Sequence, residues 1–233
     1  MSNRTIKKEV LAILSKPDLH DVLSTLESFP AKDVINVLFS AICRGEQTRW
    51  FAITCMGSTV ARLAKQEMEE GRMIMRRLLW SLNDESGGIG WGAPESMAEI
   101  MCAQKQLGQE YNHMLLSYMR EDGEELHQDG NFLEHPVLQR GLLWAIGRIG
   151  ECSPALFKGK LIPDDFQVYF SSSDAQVRGL AAWAAGTNKM VGTLPRLKEM
   201  KEEDAPLVLY QHGAFLKTTV SKLIAQALEE IQP

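Results

Sequence analysis

An all-α superhelix of about five helix pairs is predicted for this chain. Three observations predict it. A ten-residue pattern recurs at intervals of about forty residues, small residues occupy one helical face of each copy, and strand signals are scarce. The copies are Thr48–Gly57, Gly90–Glu99, Leu138–Gly147, Val177–Gly186 and Val220–Glu229, so successive starts lie 42, 48, 39 and 43 residues apart. Such an interval holds two helices and two turns.

Within each copy the fifth, eighth and ninth places are small or apolar. Ala52, Cys55 and Met56 fill them in the first, Leu142, Ala145 and Ile146 in the third, and Ala181, Ala184 and Ala185 in the fourth. Steps of three, four and one keep these on one side of a helix. Between the copies lie second helices with stripes of their own. These are Met73, Met75, Leu78, Leu79 and Leu82, then Met114, Leu115, Tyr118 and Met119, then Leu194, Leu197 and Met200. The terminal helix is expected to carry Leu216, Val220, Leu223, Ile224, Ala227, Leu228 and Ile231 at helical spacing. Ahead of the first copy, 6–14, 19–26 and 34–42 read as capping helices, so residues 1–45 form a helical cap and 46–233 the repeats of a single domain.

The punctuation agrees. Pro94, Pro136 and Pro154 stand where a first-turn proline is tolerated, and Ser153, His135 and Asp174 stand where N-caps belong. Gly57, Gly147 and Gly186 end their copies, either as helix ends in the left-handed region or where neighbouring helices approach closely. No Asn-Gly or Asp-Gly turn joins two alternating apolar runs.

The segment from Asp174 through Val177, Arg178, Ala181, Ala182, Ala184 and Gly186 resembles the first helix of a HEAT repeat of the phycobilisome-lyase type, within the armadillo-like superfamily. Arg49, Ala52 and Gly57 match in the first copy, and Leu143, Ala145, Ile146 and Gly147 in the third. The second copy departs, with Trp91 in the arginine place and Pro94 inside it. The resemblance runs from about Glu46 to the end. It implies the solenoid fold and an aspartate–arginine pairing between Asp174 and Arg178. Repeats of this kind serve as scaffolds, adaptors and enzyme subunits alike.

Composition bounds the function. Apolar residues make up 45% and charged residues 24%, enough for a buried core, and the net charge is −5. That balance opposes phosphate-driven grip on nucleic acid. Cys43, Cys55, Cys102 and Cys152 stand apart without a CxxC pair and read as reduced thiols of a cytoplasmic protein. Neither a signal-peptide core nor a membrane-spanning run of about twenty apolar residues is present. Acidic runs at Glu121–Glu125 and Glu202–Asp204 read as solvated charge.

No catalytic constellation stands out. HExxH and GxSxG are absent and no two histidines lie four apart, so neither a metal nor a cofactor is expected. Glu95 and Glu99 share a helix face, and His113 and His135 follow in neighbouring segments; against a carboxylate–histidine metal site stands the plain reading of solvated carboxylates and a capping histidine. The glycine-rich stretch Ser86–Glu95 reads as an irregular turn or as an amide cradle for an anion, and it carries Trp91. Trp144 and Trp183 occupy the seventh place of their copies, about 100–200° round the helix from the core places, facing either a groove or the packing between repeats. In the groove reading Trp91, Trp144 and Trp183 with Arg140, Arg148 and Arg178 line an aromatic and cationic surface suited to a peptide or acidic protein segment. The expectation is thus a noncatalytic scaffold or adaptor that holds a protein or peptide through its concave or loop-bearing side. Its contact candidates are Trp91, Glu95, Arg140, Trp144 and Trp183. The alternative is an enzyme of a HEAT-repeat family, either a bilin-lyase-like subunit or a carboxylate–histidine metalloenzyme.

Overall fold

The computed structural model describes residues 2–83, 90–123 and 130–231. Their contacts cluster into two compact units, Met1–Gly108 and Gln109–Pro233.

The first unit opens with α1 (Asn3–Leu14), α2 (Leu19–Leu26) and α3 (Ala31–Ala41), within a residue or three of the capping segments expected from the sequence. Ser2 Oγ accepts from the Thr5 amide at 3.3 Å, and Asp18 Oδ1 from the Asp21 amide at 2.8 Å, which satisfies amides that the first turn of a helix leaves open. Next come α4 (Glu46–Gln66), α5 (Met68–Leu82) and α6 (Ala93–Ala103). Val10, Leu14, Val34, Leu38, Ile53, Met56, Val60, Met75 and Leu78 form the core, each essentially without exposure.

The second unit holds most of α7 (Lys105–Ser117), then α8 (Pro136–Cys152), the single turn α9 (Gln167–Phe170), α10 (Ala175–Thr187), α11 (Leu194–Glu199) and α12 (Val220–Ile231). The caps of α8 and α10 are those foreseen. His135 Nδ1 accepts from the Val137 amide ahead of Pro136, and Asp174 Oδ1 accepts from the Gln176 and Val177 amides at 2.9 and 3.2 Å. Ser153 instead closes α8, and its side chain caps nothing. Helix α10 is packed between α8 and α12, which is why Gly179, Ala181, Ala182, Ala184, Ala185 and Gly186 are all buried and the helix is apolar nearly all round.

The glycines ending the sequence copies have one physical reason among the two foreseen. Gly57, Gly147 and Gly186 are close-approach sites inside their helices. A Cβ at Gly57 would lie 2.7 Å from the Glu99 carbonyl oxygen, one at Gly147 would overlap the Trp183 ring, and one at Gly186 would lie 2.7 Å from Ala227 Cα. Each missing side chain lets the first helix of one repeat touch the first helix of the next.

Two expectations need correction. Leu216 does not begin the terminal helix. Pro206–Gln211 (β1) and Ala214–Thr219 (β2) pair antiparallel as a hairpin, and α12 starts at Val220. The turn is His212-Gly213, with φ of 50° and 82°, the geometry of a type I′ turn closed without Asn or Asp. Met73 and Met114 stand 45% and 38% exposed rather than on core stripes. Of the four cysteines read as reduced thiols, Cys43 and Cys55 are the ones found free among the described residues. No helix among the described residues is long and apolar enough to cross a membrane.

Candidate binding surface

Arginines near the start of the repeat helices reach forward to carboxylates near the next element. In the first unit Arg49 Nη2 on α4 donates to Glu95 Oε1 on α6 at 2.6 Å. In the second, Arg140 Nε on α8 donates to Asp174 Oδ2 at 3.0 Å, with its Nη2 on the same oxygen. Arg178 Nε on α10 meets both oxygens of Glu203 at 2.9 and 3.0 Å, and Arg178 Nη1 donates to the Ser172 carbonyl. The pairing of Asp174 with Arg178 implied by the family resemblance is therefore replaced by a forward step. Asp174 is already occupied in capping α10, and Arg140 lies within reach of its second oxygen.

Burial by itself pushes the Asp174 carboxyl up, but hydrogen bonds from Arg140 and from the Val177 and Gln176 amides outweigh it and hold the carboxyl below its usual range. The carboxylate is thus worth more in the folded chain than in the unfolded one. Its contribution is fully present above about pH 4 and is lost as pH falls through the lowered folded value. Asp174→Asn keeps the cap and removes the charge. Urea melts should separate wild type from Asp174→Asn at pH 7, and the separation should shrink at pH 3; a gap independent of pH would deny the ionic contribution.

The contact candidates do not share one environment. Trp91 and Glu95 belong to the first unit, and Arg140, Trp144 and Trp183 to the second. Trp144 is 3% exposed and its Nε1 donates to the Tyr210 carbonyl at 2.7 Å. Trp183 is 1% exposed, with its ring in the notch left by Gly147. Both indoles fill the core, as does Glu95 at 1% exposure, so none of the three offers a surface to a partner in this structure. Arg140 is held by Asp174 with 38% of its side chain exposed. Of the three candidate tryptophans, Trp91 alone is outward, at 41%. It precedes Gly92, which takes φ 79° to start α6. The start of the glycine-rich stretch, 86–89, lies outside the described residues, as does the end of the acidic run, within 124–129.

Of the residues in the carboxylate–histidine alternative, Glu95 and Glu99 belong to the first unit and His113 and His135 to the second. Glu95 is bonded to Arg49 and His135 caps α8. Among the described residues the three-ligand grouping close enough for a cation is Asp18, His20 and Asp21, all exposed side chains at a helix start. Cys55 is pushed up to about 12 by burial and then by Glu99, which keeps the thiol protonated.

One surface was missed. Trp80 on α5 is 74% exposed, and Met73 lies seven residues before it on the same helical face. At 100° per residue both stand opposite the buried stripe of Met75, Leu78, Leu79 and Leu82, so the signal was present in the spacing. Arg72, Arg76 and Arg77 flank this pair. Arg76 donates to Glu69 at 2.6 Å, Arg72 reaches the same carboxylate, and Arg77 stacks on Phe39 with its guanidinium carbon 3.7 Å from the ring centroid. Lys32 takes Glu70 at 2.6 Å. The surface is an exposed indole and thioether in a setting rich in arginine.

No family model matches the chain, and no curated protein does. Solved structures do. An engineered protein is similar at 14% identity with a TM-score of 0.54, over 100% of this chain and 97% of that one. A second engineered protein is similar at 15% identity and a TM-score of 0.54, over 97% and 98%. A designed armadillo repeat protein in complex with the peptide (KR)4 is similar at 16% identity and a TM-score of 0.52, over 96% and 98%. At such identities the likeness concerns the fold, which is an all-α, armadillo-like superhelical repeat fold.

Proposed function

We propose that this protein is a noncatalytic scaffold that holds a protein or peptide partner, and that α5 presents its main contact surface. The observation that carries the reading is Trp80, 74% exposed beside Met73 on one face of α5. A large indole left in water forgoes much of the 150–250 Å² of burial such a ring can supply, and exposed tryptophan rimmed by charge is the usual anchor of an interface. A designed protein of the same fold in complex with a peptide supports peptide holding as work this fold can do. The partner chemistry differs from that basic peptide. Three arginines around an apolar pair favour a segment that combines an apolar side chain with acidic ones.

The test uses the full chain as bait in extracts of its own cell, with wild type, Trp80→Ala and Trp91→Ala compared. Trp80→Ala should weaken capture of the partner by about thirtyfold, the effect of losing a hot spot of about 2 kcal/mol. Its melting temperature should stay with the wild type, since the ring is exposed. Trp91→Ala should weaken capture less, in line with its smaller exposure. Unchanged capture by Trp80→Ala would overturn the assignment of α5.

A further inference from the structure

We propose a second docking surface, in the second unit: the outer edge of β2 takes up an extended, acidic segment of a partner protein as a third strand. The argument starts from the turn. A two-residue type I′ turn makes Gln211 and Ala214 the closing hydrogen-bonded pair. Pairs then alternate, so Leu209 with Leu216 and Leu207 with Thr218 exchange both hydrogen bonds. Pro206, Val208 and Tyr210 on β1, and Phe215, Lys217 and Thr219 on β2, point their backbone polar groups away from the ladder.

The two outer edges are treated differently. On β1 the Tyr210 carbonyl accepts from Trp144 Nε1 at 2.7 Å and the Val208 carbonyl from Gln176 Nε2 at 3.2 Å. Pro206 has no amide hydrogen to offer. These bonds agree with the alternation deduced from the turn, and they seal that edge against the rest of the unit. On β2 the amides and carbonyls of Phe215 and Lys217 have no protein partner among the described residues. Leu216 between them is 44% exposed. An open edge of this sort is a template for another strand, and strand addition is an established way for a sheet to bind an extended peptide.

Charge selects the occupant. Lys217 is the one ionised residue on β2, placed at the middle of the open edge. A second copy of the chain pairing β2 against β2 through Phe215 and Lys217 would bring like charges together across the new ladder, which is destabilising. A partner strand with an acidic residue beside Lys217 and an apolar one beside Leu216 meets both demands. Because adjacent residues of a strand face opposite sides, such a segment alternates acidic and apolar. This surface does not depend on α5, and the failure of either leaves the other standing.

The probe is an end-capped ten-residue peptide of alternating Val and Glu, titrated into the full chain with amide hydrogen exchange as the readout. The amides of Phe215 and Lys217 should gain about tenfold protection or more at saturation, as new ladder bonds require, while that of Leu216, already paired to β1, should change little. Lys217→Glu should weaken this peptide by about tenfold and favour a Val–Lys peptide instead. On the wild-type chain, the same Val–Glu peptide N-methylated at every residue should not bind. Equal binding of the N-methylated peptide, no protection at saturating peptide, or protection that grows with protein concentration alone would each overturn the proposal.

Discussion

Replacing Trp183 by alanine is expected to lower stability by about 3–5 kcal/mol, the cost of emptying a large buried aromatic site. The ring is 1% exposed and lies against Gly147, whose missing side chain makes room for it. Its Nε1 is buried without a hydrogen-bond partner, so nothing polar is lost with the ring. Trp183→Phe should therefore cost much less than Trp183→Ala, since most of the volume is kept. Urea denaturation followed by circular dichroism would measure both. Domains commonly hold only about 5–15 kcal/mol in total, so the alanine variant should melt far earlier than wild type or Trp80→Ala. A Trp183→Ala protein as stable as wild type would remove the indole from the core and reopen a contact role for it.

Arg49→Ala is the second large effect. Glu95 is 1% exposed, and its Oε1 accepts from Arg49 Nη2 at 2.6 Å. Glu95 Oε2, Arg49 Nε and the neighbouring Ser96 Oγ are buried without a hydrogen-bond partner. Removing the arginine takes the paired cation from a buried carboxylate, which costs about 3–5 kcal/mol. The lower end of that range is expected, because a quarter of the Arg49 side chain meets water. The double variant Arg49→Met/Glu95→Leu should recover most of the loss, since removing both partners leaves no orphaned charge. If the double variant were as unstable as Arg49→Ala alone, the damage would lie in packing between α4 and α6 rather than in the ion pair.

Much of this architecture could be read along the chain. The forty-residue recurrence, the small residues at the fifth, eighth and ninth places, and the caps at His135 and Asp174 are all local chemistry. The spacing within α5 also held the outward face of Met73 and Trp80, although counting Met73 with the apolar stripe hid it. The hairpin was harder. Leu207, Val208, Leu209 and Tyr210 are good strand residues, but Leu216 and the residues after it fit a helical spacing equally well. His212-Gly213 closes the turn without the asparagine or aspartate that usually announces one.

Helix positions, ends and the face that small residues occupy follow from interactions within a few residues, where spacing alone says which side chains meet. Long side chains with several reachable partners obey no such rule. Whether Arg140 or Arg178 takes Asp174, whether Glu95 is solvated or buried, and whether the indoles of Trp144 and Trp183 fill a core or line a groove depend on helices dozens of residues away. Those choices are made by distance and burial in the folded chain, where an ion pair or a ring finds its place only after neighbouring backbones have already met.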